Sequence, residues 1–307
     1  MAAQCRALGD GRLHFQHGPM DIVIGAEGEA QALRAAHARA WARFQGLLAE
    51  LVQELPLLRA PVDGTCRLHG PVARRMWTAA EAHRPAFVTP MVAVAGAVAQ
   101  ELVQAYDCAG VSRAWVNNGG DIALHLTPGS SFRIGVCADI DRLRWLGEGV
   151  QVDGQFEIGH ASGVRGVATS GWKGRSFSLG IADSVTVLAA TAAEADAAAS
   201  LIANAVNVQA PGIVRVPANS LKDDSDLGTI PVTVEVPKLA PSLVQQALRA
   251  GLDHALALQR AGQIVACVLT CQGQALATPG PQAALTSPQN PSRRVQRELC
   301  ALETMHD

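Results

Sequence analysis

"RAWVNNGGDIALHL", residues 113–126, decides the class of the fold. Two strand-like runs flank Asn118, Gly119 and Gly120, and Asn-Gly between β-formers is the strongest short hairpin signal. A hairpin joins antiparallel strands. Further strand-like runs follow: "FRIGVCA" (132–138), "QFEIGHAS" (155–162), "RGVATS" (165–170) and "SVTVLAA" (184–190). Strands therefore come in a run from 112 to 190 and do not alternate one by one with helices. That organisation predicts α+β architecture, with antiparallel sheets covered by helices, over a doubly wound parallel sheet.

The flanks supply the helices. "RLHFQHGPMDIVIGAE" (12–27) reads as a hairpin around Gly18-Pro19. From 28 to 55, Leu33, His37, Trp41, Phe44, Leu48, Leu51 and Leu55 recur at helical spacing. A second helix is expected from Pro71 to about Ala82. Thr89 suits an N-cap and Pro90 the first helical position of a helix running to 106. Its face of Ala93, Gly96, Ala97 and Gln100 lets a backbone or a ligand come close. Residues 191–208 read as a helix opened by a Thr191/Glu194 capping box. "IPVTVEV" (230–236) reads as a strand, 241–262 as a helix ended by Gly262, and 264–277 as one or two strands. The order of elements hints at an internal duplication, without a residue-level repeat. Residues 1–277 are expected to form a single α+β domain. The Pro-, Gln- and Ser-rich 278–291 reads as a linker, and 292–307 as a charged terminal helix.

Composition narrows the function classes. The chain has 307 residues, 49% hydrophobic and 17% charged, which is enough to build a substantial core. A net charge of −2 argues against a nucleic-acid coat. The seven cysteines are scattered, without a CxxC. Cys267 and Cys271 share a strand face roughly 13 Å apart, too far for one metal or a disulfide. The first residues lack an apolar signal region. The longest near-apolar run, 87–99, is too short to span a membrane. A cytoplasmic location and no membrane partner are therefore expected. Small-residue helices such as 90–106 could pack on a second subunit, so a homo-oligomer is a candidate assembly.

Three places could carry chemistry. In "VNNGGDIAL" (116–124), Asn117, Asn118, Gly119, Gly120 and Asp121 are either a plain turn or a site. As a site, the glycines would admit a ligand to the backbone and Asp121 would bind a hydroxyl or a metal. In "GVATSGWKGRSFSLGIADSVTV" (166–187), glycines expose amides while Thr169, Ser170, Gly171, Lys173 and Arg175 supply donors. Such a concavity suits phosphates, although no P-loop spacing is present. Asp183 is its acid and the candidate base. On the 191–208 helix, Asp196, Ser200, Asn204 and Asn207 share one face. Their short side chains suit a part-buried polar site, with Mg²⁺ held by a carboxylate and a hydroxyl. The acidic "LKDDSDLG" (221–228) lacks EF-hand spacing and reads as a solvated turn.

Taken together, "TPMVAVAGAVA", "VNNGGDIAL", "ATSGWKGRSFSLGIADSVTVLA" and "ADAAASLIANAVN" resemble the ApbE-like superfamily, and within it the branch of small cytoplasmic proteins. The resemblance covers roughly residues 12 to 276. It implies an ApbE-like, T-fold-related arrangement. It also implies FAD:protein FMN transfer with Mg²⁺, hence a flavin or related nucleotide as the small-molecule ligand. The family's Gly-Gly-Asp turn matches Gly119, Gly120 and Asp121. Its Thr-Ser-Gly turn matches Thr169, Ser170 and Gly171. Its metal-binding Ala-Asp-x-x-x-Thr helix matches Ala195, Asp196 and Ser200, so Asp196 and Ser200 are metal ligands by resemblance. Thr89, at a helix start, is a candidate for an anion. The family's His and Asp-Pro-x-Thr-Gly segment has no counterpart in "FSLGIADSVTV". The resemblance thus implies the pocket more directly than the reaction. Three readings stand: a flavin or nucleotidyl transferase, a non-catalytic binding or accessory protein in cofactor or sulfur metabolism, and a structural or assembly role with the pocket vestigial.

Overall fold

In the computed structural model, which describes residues 2–136, 145–146, 149–150 and 154–280, the hairpins assemble into one nine-stranded sheet. Its strands are β1 (Gln4–Ala7), β2 (Leu13–His17), β3 (Met20–Gly28), β4 (Val111–Asn118) and β5 (Asp121–Leu126). β6 (Ser131–Val136) and β9 (Gly154–Gly159) leave it as a separate ribbon, with the two-residue strands β7 (Trp145–Leu146) and β8 (Gly149–Val150) between them. The sheet resumes with β10 (Gly166–Ser170) and β11 (Ser184–Ala189). After a small ribbon of β12 (Val214–Pro217) and β13 (Pro231–Glu235), β14 (Ala266–Cys271) and β15 (Gln274–Ala277) complete it. The spatial order is β1-β2-β3-β4-β5-β10-β11-β14-β15, antiparallel throughout.

The helices are α1 (Ala30–Gln53), α2 (Leu55–Leu58), α3 (Pro71–Glu81), α4 (Val94–Val103), α5 (Ala192–Ala205), α6 (Ala218–Leu221) and α7 (Pro241–Arg260). Strand alternation sends every second residue to them. Ala114, Val116 and Ala123 join Phe15, Phe44 and Leu102 in one core, while Val185, Val187 and Leu269 join Ile202 and Leu248 in a second. Trp115, Ile122, Leu124 and Leu188 point the other way, onto Phe132 and Ile158 of the β6–β9 ribbon. Each half of the sheet thus has its own core on the helical face. Both faces of β11 are buried, which explains its unbroken apolar reading.

Three details differ from the sequence reading. Helix α1 buries Ala36, Ala40, Phe44, Leu47 and Leu51, one position away from parts of the expected stripe, because its alanines sit against the sheet. The larger Leu33, Trp41 and Leu48 flank that line. Thr89 does not cap a helix with its side chain; a 3-10 turn, Pro90–Ala93, precedes α4. Strand β1 is exposed along its length and shows no alternation. Residues 281–307, which include most of the expected linker and the whole expected terminal helix, lie outside the described residues. Among those described, no helix is long and apolar enough to cross a membrane.

Candidate functional site

Antiparallel register gathers the chemistry-bearing loops at one end of the sheet. The pairs His17↔Met20, Asn118↔Asp121, Ser170↔Val185 and Cys271↔Gln274 all close there. At the β4–β5 turn, Gly119 (φ +67°) and Gly120 (φ +111°) occupy the left-handed region that only glycine adopts freely. The Asn117 side-chain oxygen accepts from the Gly120 amide (2.8 Å), a bond that builds the turn itself. Asn118 reaches away from it, donating its side-chain amide to the Ala95 carbonyl (3.2 Å) at the start of α4.

Two carboxylates meet in this region. Asp196 projects from the second turn of α5, and its Oδ2 accepts the Gly96 amide at 2.9 Å. The Ala95 amide also donates to it, so it sits on the positive N-terminal end of α4. Asp121 accepts from the Thr169 amide of β10. Each residue is 9% exposed. Burial raises both carboxyls above their ordinary range, and the charge of Asp196 raises Asp121 further. The amide bonds pull the other way and lose to burial. Among the described residues, no cation is among the groups acting on either carboxylate.

Small residues make the approach of α5 possible. A methyl group on Gly96 would collide with the Ala192 carbonyl, and one on Gly166 with the Thr191 carbonyl. The Gln100 side-chain oxygen accepts from the Ala193 amide (3.3 Å). The small face of α4 therefore receives another backbone, the start of α5. That start is fixed by its cap, Glu194 N to Thr191 Oγ1 at 3.3 Å.

The rim comes from the loop after β10. Arg175 donates to the Pro19 carbonyl (3.4 Å) and lies beside Gly119, linking this loop to two hairpin turns. Lys173 sits over the Trp172 ring at 5.7 Å, and both Lys173 and Arg175 are exposed. Thr169 pairs its hydroxyl with Thr186 at 3.0 Å, and Ser170 ends the strand half-buried. Gly171 is required by packing, since a side chain there would strike the Asp183 carbonyl. Ser200, one helical turn beyond Asp196, is half-buried.

Other candidates are engaged in contacts of their own. The Asp183 carboxylate accepts the Gln272 amide at the β14–β15 turn, where Gln272 has φ +43°. Thr89 donates its hydroxyl to Asp226, and Asp224 of the same acidic segment pairs with Arg59 at 2.7 Å. "LKDDSDLG" is therefore docked on the body of the protein and not simply solvated. Asn204 accepts from the Leu179 amide (2.8 Å), and Asn207 donates to the Leu179 carbonyl (3.0 Å). Those two hold the loop before Asp183; of the polar face on α5, Asp196 meets a second acid. Sequence reasoning named Asp121 and Asp196 separately and missed that they interact.

The chain belongs to the AbpE bacteria family. The match spans residues 4–277 and so includes every residue of the site. The motif resemblance to ApbE-like proteins thus holds at the level of the family. A UPF0280 protein of Methanosphaerula palustris is 34% identical over 206 residues, 66% of this chain and 79% of that one. A UPF0280 protein of Methanothrix thermoacetophila is 35% identical over 158 residues, 51% of this chain and 57% of that one. The chain thus spans little more than half the length of that second relative. Among solved structures, the apo Pseudomonas stutzeri flavinyl transferase ApbE aligns with a TM-score of 0.43 at 14% identity. That alignment covers 91% of this chain and 95% of the other.

Proposed function

We propose that the protein holds Mg²⁺ at Asp121 and Asp196 and binds the phosphates of a flavin or related nucleotide against it, with transfer or cleavage at the pyrophosphate. The observation that carries this reading is the pair of buried, mutually repelling carboxylates on which, among the described residues, no cationic side chain acts. Mg²⁺ is usually bound through one or two carboxylates, with water and substrate phosphates completing its octahedron. Asp121 and Asp196 fit that donor set, and Ser200 adds a hydroxyl on the same face of α5. When bound, the ion supplies charge stabilisation at a leaving phosphate oxygen.

The remaining work falls to the chain's own groups. Gly119 and Gly120 bring bare backbone to the mouth of the site. Thr169, Ser170, Gly171, Lys173 and Arg175 form the phosphate-facing rim, and Arg175 can bind two oxygens at once. Asn118 holds the first turn of α4, whose amides orient Asp196. Thr89 tethers the acidic segment at Asp226 and acts on the pocket only through that packing.

A second reading keeps the pocket without the transfer. It is favoured by Asp183, the candidate base, whose carboxylate is committed to the Gln272 amide. In that reading the protein binds or delivers a cofactor, or assists another enzyme of cofactor or sulfur metabolism. Native mass spectrometry of the full chain with FAD, with and without Mg²⁺, separates the two. Mg²⁺-dependent FAD binding followed by AMP release supports transfer. Binding without AMP release supports the carrier. Absence of any flavin or nucleotide binding overturns both.

A further inference from the structure

We propose that the β12–β13 ribbon is a strap along the polar face of α5, latched by its acidic tip to Thr89, and that it unlatches to admit a phosphate-bearing ligand. The gate rests on the pocket proposed above; the latch stands apart from it. The ribbon is fixed at two places. In its middle, the Thr233 amide donates to the Ser178 carbonyl (2.8 Å), and Arg215 donates to the Leu179 carbonyl (3.3 Å) and the Asn207 side chain (2.6 Å). Asn204 of α5 holds the same loop through the Leu179 amide (2.8 Å). This anchorage therefore lies at the C-terminal end of α5. At the tip, Asp226 accepts the Thr89 hydroxyl and Asp224 pairs with Arg59 (2.7 Å). Val88, beside Thr89, belongs to the cluster against which Leu201, beside Ser200, packs. Thr89 then leads through the Pro90–Ala93 turn to Gly96, whose amide holds Asp196. The tip thus ends next to the part of α5 that carries Asp196 and Ser200, and the ribbon joins the two ends of that helix.

The two anchorages differ in kind. Val232 and Thr233 are buried, so the middle of the ribbon is held by packing as well as by hydrogen bonds. Among the described residues, two polar pairs tie residues 221–228 to the body of the protein. Lys222, Asp223 and Asp224 are exposed, and Leu221 is 51% exposed. A segment with few buried contacts is the one that opens first. The Arg59–Asp224 pair is open to water and holds weakly. Thr89 is only 3% exposed, so its hydroxyl depends on the Asp226 carboxylate, and that contact is the latch. Three carboxylates, Asp223, Asp224 and Asp226, against one lysine make the tip anionic. A seated anionic tip repels an incoming phosphate, so a nucleotide reaches this face of α5 when the tip has swung away.

Hydrogen exchange of the full chain, followed by mass spectrometry, reads the latch without any ligand. Thr89→Val and Asp226→Ala should each speed exchange in residues 219–228 by at least about fivefold and leave residues 241–260 unchanged. The double variant should be no faster than either single one, because both changes remove the same contact. Stopped-flow association of FAD, in Mg²⁺, should be at least about threefold faster in Thr89→Val, which alters no charge, than in the unaltered protein. Unchanged exchange in both single variants, additive effects in the double variant, or faster exchange along the whole chain would overturn the latch. Equal association rates would overturn the gate. No FAD binding even to the unaltered protein would overturn the gate together with the pocket reading, while the exchange data still decide the latch.

Discussion

The two ends of α4 handle a buried acid in opposite ways. Near its C-terminal end, Glu101 lies between Arg43 (2.6 Å) and Arg75 (3.0 Å), and Arg43 also pairs with Glu50 (2.8 Å). Burial raises the Glu101 carboxyl, but the two guanidinium groups more than offset this and leave it below its usual range. At the N-terminal end, Asp196 and Asp121 have amides for partners and remain raised. The first cluster is electrically complete without help, and the second is not. Arg43 and Arg75 surround one acid, while the other two have no counter-charge among the described residues, and that difference is the main reason to regard the second cluster as a site for an external cation.

Substitutions at the two ends should therefore have opposite signs. Glu101→Gln strands two part-buried guanidinium groups and should lower stability by about 2–3 kcal/mol in urea unfolding, with or without Mg²⁺. Asp121→Asn removes one of two repelling charges. At pH 8 without metal it should leave stability unchanged or raise it by about 1–2 kcal/mol, and it should abolish stabilisation by Mg²⁺. A large loss of stability in metal-free Asp121→Asn would show that the pair is completed from within the fold.

The pH dependence sharpens the same contrast. Asp121 and Asp196 have folded values above the unfolded carboxylate range. Their contribution is present at low pH and is lost as pH rises from about 4 through the raised folded values. Glu101 has a lowered value, so its contribution is present at neutral pH and is lost as pH falls below about 4. Between pH 5 and 8 the lowered histidines His37, His83 and His254 add stability as pH rises, so the contrast is read as a difference: metal-free Asp121→Asn should gain about 1–2 kcal/mol relative to the unaltered protein over that window. The smallest effect concerns the cap. Thr191→Ala should cost about 1 kcal/mol and leave the Mg²⁺ response in place, because the cap fixes α5 without touching metal or ligand.

Much of this contrast was out of reach of sequence alone. Local chemistry announced the hairpins at Gly18-Pro19 and Asn118-Gly119, the cap at Thr191 and the helix stop at Gly262, because each rests on neighbours in the chain. Strand β1 was not legible, since an exposed edge strand carries no alternation. Asp121 and Asp196 could each be nominated from a motif, but their meeting depends on β5 pairing with β10 and on α5 packing against α4 at Gly96. Helical spacing put Asn204 and Asn207 on the face of Asp196, but α5 ends at Ala205 and leaves Asn207 beyond it, and spacing could not say that both serve the Leu179 loop. Asp183 and Thr89 were singled out for residue type, while their partners Gln272 and Asp226 lie more than eighty residues away in the chain.

The most direct test of the carboxylate pair is calorimetric titration of FAD into the full chain, in Mg²⁺ and in EDTA, for the unaltered protein and for Asp121→Asn. FAD should bind at least about tenfold more tightly in Mg²⁺, and Asp121→Asn should erase that difference while leaving the protein folded. Equal FAD affinity in Mg²⁺ and EDTA, or a Mg²⁺ effect that survives Asp121→Asn, would contradict the assignment of Asp121 and Asp196 as the metal-holding core of the site.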